Sequence, residues 1–198
     1  MRALKDDQVV PSDPPSLMSD YIAELIKRDL TKLPFARIFD KNPLLIPTPN
    51  SSLIKTGTIW VPQRLANAMV RKGLGRIVET CLERIIALPK SATSSAANRP
   101  KAKQHSESMS VQKVFPEPDE ILLVDDVITR GATLLGAANR LAEAYPKAHI
   151  RAFAAMRTIS PPNVFASTYN PVIGTIELVV NDTFRHDLVD TSQSTLDQ

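Results

Sequence analysis

At 198 residues, 43% of them hydrophobic and 23% charged, the chain can bury one core of ordinary size, and the absence of a long apolar run excludes a membrane-spanning helix. A single cysteine, Cys81, excludes an internal disulfide and a cysteine-built zinc cluster. With a polar, proline-rich start, "MRALKDDQVVPSDPP", in place of a signal peptide, it points to a reducing, cytoplasmic setting. The net charge of +3 permits anionic partners, nucleic acid included, without requiring them.

In chain order, residues 1–14 are expected to be disordered, ahead of a single domain over residues 15–198. "SLMSDYIAELIKRDL" spaces Leu17, Tyr21, Leu25 and Ile26 as one face of an amphipathic helix. "NPLLIPTPNSS" reads as a short buried strand, Leu44 to Ile46, broken by Pro47 and Pro49 into a polar loop. "VPQRLANAMVRKGLG" predicts a helix with Pro62 in its first turn and Gly73 or Gly75 at its end. "RIVETCLERIIAL" is β-branched and apolar in short stretches and predicts a strand. From about residue 90 to 113 the chain is nearly free of apolar residues, which predicts a mobile loop.

A strand over 120–125 follows, then a tight turn and a helix from about Ala132 to Ala144. "AHIRAFAAM" and "GTIELVVN" add two strands. Strands alternating with helices predict an α/β fold, a mostly parallel sheet flanked by helices, whose ligands bind beyond the carboxyl ends of the strands.

Charge is unevenly placed. Lys90, Arg99, Lys101, Lys103 and Lys113 face only Glu107 in the polar loop, whereas Glu177, Asp182, Asp187, Asp190 and Asp197 face only Arg185 after Ser160. Solvated segments account for both runs; the alternative for the basic one is a hold on a polyanion.

The chemistry concentrates in "ILLVDDVITRGATL". Strand, turn and helix placed here set Val127 to Gly131 at a helix N-terminus, where unpaired N–H groups and the macrodipole favour an anion. Gly131 lets the backbone approach a ligand, and Thr129 and Thr133 add hydroxyls, so the turn forms a phosphate cradle. Asp125 and Asp126 would repel a bare phosphate and instead suit sugar hydroxyls, a Mg²⁺ ion, or both. A plain capping pair explains the acids poorly, and a response-regulator receiver would need far more chain after "LLVDD". Arg130 reads equally as a phosphate ligand or a solvated arginine, and Arg157 as a residue near the acids or a surface strand end. Trp60 reads as core, and His149 as an ordinary strand start.

This stretch closely resembles the phosphoribosyl pyrophosphate (PRPP) motif of type I phosphoribosyltransferases, and the order of "PTP", helix, basic loop, "VDDV" and "AFAAMRT" is most similar to the ComF-like branch. One cysteine cannot build the zinc segment with which ComF proteins usually begin, and Arg130 stands where the family more often has Thr or Ser. The resemblance implies transfer of a 5-phosphoribosyl group from PRPP, with Mg²⁺ as cofactor, release of pyrophosphate, an unidentified acceptor and a homodimeric assembly. It implies PRPP contacts from Thr48, Pro49, Asn50 and Ser51 and from Asp125, Asp126, Val127, Ile128, Thr129, Arg130, Gly131, Ala132 and Thr133. Asp125 and Asp126 would also hold the metal and take part in catalysis, with Lys101, Lys103 and His105 as lid residues reaching pyrophosphate. The alternative is a non-catalytic PRPP-binding module, regulatory or associated with DNA uptake or defence, since this fold is reused for regulation.

Overall fold

The computed structural model describes residues 2–53, 57–89, 99–159, 167–180 and 182–188. Residues expected to be disordered form a helix, α1 (Arg2–Lys5), and a strand, β1 (Val9–Val10), that pairs antiparallel with β2 (Ser16–Leu17). Two side chains hold this segment in place. Leu4 is fully buried, and the Asp7 carboxylate accepts the Ser19 N–H (2.9 Å) and lies 3.0 Å from Arg64. Asp7 thereby satisfies an orphan donor at the start of α2 (Met18–Asp29), a capping role that local composition does not reveal.

Helix α2 buries Ser19, Ala23 and Ile26, whereas Tyr21 is exposed. The buried face is thus turned from the expected one, with only Ile26 shared. Strand β3 (Leu44–Pro47) ends at its proline, which cannot donate a further ladder bond. Helix α3 (Val61–Arg71) has Pro62 in its first turn. It closes on Gly73, whose φ of 72° is the left-handed conformation that glycine adopts cheaply. Gly73 N–H reaches the Val70 carbonyl and Leu74 N–H the Met69 carbonyl, both at 2.9 Å, the double bond of a Schellman cap.

The predicted strand in "RIVETCLERIIAL" divides in two. Val78 bridges parallel to Leu45 at the edge of the main sheet, whereas β4 (Leu82–Arg84) leaves it to pair antiparallel with β5 (Met109–Val111). Between them lies α4 (Ala102–Glu107), inside the segment expected to be a mobile loop. Residues 90–98 of that segment lie outside the described residues. The ordering has a packing cause: α4 lies so close to the next helix that a Cβ at Gly136 would stand 2.6 Å from the Ala102 carbonyl and from His105 Cβ.

Strand β6 (Glu120–Ile128) runs through both aspartates rather than stopping at Asp125, and α5 (Ala132–Ala144) and β7 (His149–Arg157) follow. The sheet order is β3–β6–β7, all parallel. Alternation along the central strands sorts the core. Leu45, Leu122 and Val124 face α2 and α3, while Leu44, Ile46, Ile121 and Leu123 face α5 and the β4–β5 pair. The fold is therefore mixed α/β, a central parallel sheet flanked by helices. Strands β8 (Ile173–Val179) and β9 (Asp182–Leu188) pair antiparallel as a hairpin outside the main sheet. No described helix is long and apolar enough to cross a membrane.

Candidate functional site

The carboxyl ends of β3 and β6 open onto a cavity of about 490 Å³. Its walls bring together Thr48 to Ser52 after β3, Asp125 to Leu134 from β6 through the turn into α5, and Arg84, Arg99 and His105 from the β4–α4 region, with Lys5 at the rim. Two segments singled out in the sequence thus meet at one opening.

The loop after β3 is fixed from both sides. Thr48 N–H donates to the Val124 carbonyl (2.9 Å), and its hydroxyl donates to the same oxygen (3.2 Å). Buried Trp60 donates its indole N–H to the Thr48 carbonyl (2.8 Å), so it serves as packing with a polar anchor. Ser51 accepts the Leu88 N–H at 2.8 Å through its carbonyl.

The two acids differ in setting. Asp125 is buried and Asp126 half-buried. Asp125 Oδ1 accepts the Asp126 N–H (2.9 Å), and Asp126 Oδ1 accepts the Val127 N–H (2.8 Å). Burial and then the neighbouring Asp126 charge push the Asp125 carboxyl well above the usual carboxylate range. Asp125 therefore tends to hold a proton. Among the described residues no three His, Cys, Asp or Glu side chains gather as a metal site. Mg²⁺ takes one or two carboxylates and completes its shell with water and ligand oxygens, and half-buried Asp126 suits that donor set better than buried Asp125.

Gly131 holds a φ of 88° at the start of α5, so the turn needs a residue free of a Cβ. Thr133, in the first turn of α5, brings its hydroxyl within 3.5 Å of His105 Nε2. His105 is 2% exposed, and burial, followed by the nearby Arg84 charge, lowers its pKa to about 4. It is therefore a neutral side chain in the wall, where a mobile lid residue was expected. Lys101 lies 3.4 Å from Asp182, and Lys103 pairs with Glu107 (3.8 Å) on the outer side of α4; neither lines the cavity.

Three residues that the sequence reading passed over shape the site. Arg84 is 6% exposed, and its guanidinium donates to the Asn50 carbonyl (2.9 Å) and the Ser108 hydroxyl, with His105 Nδ1 3.4 Å away. Loss of hydration lowers its pKa to about 10, so it remains a buried cation at neutral pH. Arg185 Nη1 donates to the carbonyls of Ile128 (3.2 Å) and Thr129 (2.8 Å), and Nη2 to that of Thr158 (2.7 Å), tying the hairpin to the turn. Asp182 lies 2.5 Å from Arg130. Burial raises the Asp182 carboxyl, but the Thr183 N–H, Arg130 and Lys101 together hold it below its ordinary value. Arg157 is likewise paired, 3.0 Å from Asp187, while His149 is an exposed strand start. Asp182 and Asp187 of the tail are thus partners for cations near the turn. Their only sequence signal was the surplus of acid after Ser160 opposite the basic segment.

No protein-family model matches the chain, and no curated protein matches it in sequence. Among solved structures, it is similar to a hypoxanthine phosphoribosyltransferase from Staphylococcus aureus, with 12% identity over 86% of this chain and 75% of that one and a TM-score of 0.38. A glutamic acid mutant concerned with an invariant aspartic acid in HPRTs is similar over 71% of this chain and 74% of that one, with 14% identity and a TM-score of 0.31. Similarity at this level leaves the site to be judged on its own geometry.

Proposed function

We propose that the chain is a phosphoribosyltransferase-like protein that binds PRPP with Mg²⁺ and transfers the 5-phosphoribosyl group to an acceptor, releasing pyrophosphate. One observation carries this reading. The acid pair, the glycine turn at the start of α5 and the loop after β3 all line a single cavity, large enough for a phosphorylated pentose with a second anionic group.

In this reading Asp125 and Asp126 hold the ribose hydroxyls, the raised carboxyl of Asp125 being able to donate as well as accept. The backbone from Val127 to Ala132, with the Thr129 and Thr133 hydroxyls, receives the 5′-phosphate at the helix N-terminus. Thr48 to Ser51 receive pyrophosphate, with Arg84 and Arg99 supplying positive charge from the facing wall. Asp126, with ligand oxygens and water, would hold Mg²⁺, which supplies neutralisation of the leaving pyrophosphate when bound. As the C1′–oxygen bond to pyrophosphate breaks, positive charge grows at C1′ and the acceptor's electron pair forms the new bond. The carboxylate of Asp126 stabilises that developing charge.

A second reading, a PRPP-binding module without turnover, is favoured by one feature. The residues expected to close over pyrophosphate are already engaged: Lys101 with Asp182, Lys103 with Glu107 and His105 in the wall. Calorimetry with PRPP and ribose 5-phosphate, with and without Mg²⁺, tests the common core of both readings. Binding of neither at millimolar concentration refutes both, whereas PRPP binding without pyrophosphate release toward a panel of nucleobases selects the module.

A further inference from the structure

The β8–β9 hairpin lies across the phosphate turn and brings a negative charge to it. Ile176 of β8 packs on Gly131 so closely that a Cβ there would stand 2.7 Å from Ile176 Cδ1. Arg185 of β9 is anchored on the turn's carbonyl oxygens, Ile128 at 3.2 Å and Thr129 at 2.8 Å. At the start of β9, Asp182 Oδ2 sits 2.5 Å from Arg130 Nη1 and 3.4 Å from Lys101 Nζ. These cations come from separate elements, the turn and the residue before α4, and one carboxylate oxygen bridges them. Arg130 also lines the cavity, so the bridge stands at its edge.

An oxygen anion held between a guanidinium and an ammonium beside a phosphate cradle occupies the place a phosphate oxygen would take. We infer that Asp182 is a built-in competitor: it neutralises Arg130 and Lys101 in the empty site, and a ligand's phosphate monoester displaces it. This inference rests on the phosphoribosyl reading of the cavity and adds its regulation. Displacement exchanges one anion for another, so the empty site avoids two unpaired neighbouring cations and the phosphate gains less than it would from free ones. Arg185 keeps the hairpin anchored on the backbone while the Asp182 end lets go. Lys101, outside the cavity wall, then becomes a phosphate ligand only after the exchange.

The exchange predicts an unusual salt response. Binding to two free cations weakens steeply with ionic strength, whereas replacing a carboxylate by a phosphate changes the local charge little. Titration calorimetry on the full chain, comparing wild type, Asp182→Asn and Asp182→Glu, uses inorganic phosphate and ribose 5-phosphate at two salt concentrations. Asparagine can still accept the Thr183 N–H that Asp182 receives at 2.9 Å, so the hairpin start is preserved. The expected result for Asp182→Asn is about three- to tenfold tighter binding of both ligands with a steeper salt dependence, while Asp182→Glu stays near wild type. Unchanged or weaker binding in Asp182→Asn overturns the competitor role, as does a salt dependence equal to that of wild type. If phosphate tightens but ribose 5-phosphate gains nothing over it, the competitor stands and the phosphoribosyl reading falls. If no variant binds either ligand, both fall.

Discussion

His105 provides a sharp test of how the wall of the cavity is built. It is 2% exposed and faces the Arg84 guanidinium at 3.4 Å, so protonation would set two cations together in a dry place. Its pKa falls from 6.5 to about 4 in the folded chain. A depressed folded value means full stability above the unfolded pKa and loss as pH falls through the folded one. Between those values the unfolded chain binds a proton that the folded chain refuses. The linkage relation then gives a cost of about 2 kcal/mol at pH 5 and about 3 kcal/mol at pH 4. Other groups titrate in the same window. Asp125, with its raised carboxyl, acts in the opposite sense, its contribution being lost as pH rises, and so the comparison must be differential. His105→Gln replaces the ring with a neutral side chain that can still accept from Arg84. Urea unfolding of both proteins between pH 7.5 and 4 should show wild type losing about 2–3 kcal/mol relative to the variant, the difference emerging below about pH 6.5. Parallel stability curves for the two proteins would refute the buried, neutral placement of His105.

Three further outcomes are expected. Gly131→Ala forces a left-handed φ on a residue with a Cβ and drives that atom against Ile176, so it should destabilise the chain by about 1–2 kcal/mol or more in urea unfolding. Asp7→Ala leaves the Ser19 N–H without its acceptor and Arg64 without its partner; a loss of about 1–3 kcal/mol and faster proteolysis near the N-terminus should follow, and an unchanged midpoint would contradict the capping role. Asp126→Asn should leave the unfolding midpoint near that of wild type while weakening ribose 5-phosphate and abolishing any Mg²⁺ dependence of PRPP binding, measured by calorimetry; unchanged binding would place the ligand elsewhere.

Sequence and structure agree where local pattern and burial carry the same message. Apolar "ILLV" before the acids, Pro62 and Gly73 at the ends of α3, and the span of α5 were legible because caps and periodicity are written locally. The meeting of the loop after β3 with the acid turn follows from parallel strands ending at one edge. What was not legible owes its order to distant partners. Helix α4 has little apolar surface of its own and is held by the gap at Gly136, and β9, "DTFRHDL", alternates charge rather than hydrophobicity, its acids matched by Arg130, Lys101 and Arg157. Leu4 and Asp7 look like an unstructured start until α2 and α3 supply the pocket and the cation. Arg84 was hidden for a related reason: in "RIVETCLERIIAL" nothing marks which charge turns inward once the segment leaves the main sheet.

Strand β3 pairs along one edge with β6, and Thr48 finds its acceptor, the Val124 carbonyl, 76 residues further along the chain. During synthesis, therefore, β3 and the loop after it emerge long before the strand that fixes them. Until β6 arrives, β3 has the helices α2 and α3 to lean on and the single parallel bridge to Val78 on its other edge, but not the four-residue ladder that β6 supplies. Closure of that long segment is a step whose entropy must be met before its contacts form, and such steps slow folding. The same event creates the cavity, because β6 delivers both the Thr48 anchor and the acid pair. The loop after β3 can be held early by Trp60, Arg84 and Leu88, but the acid wall comes only with β6, which makes β6 pairing the step at which ligand could first stabilise the fold.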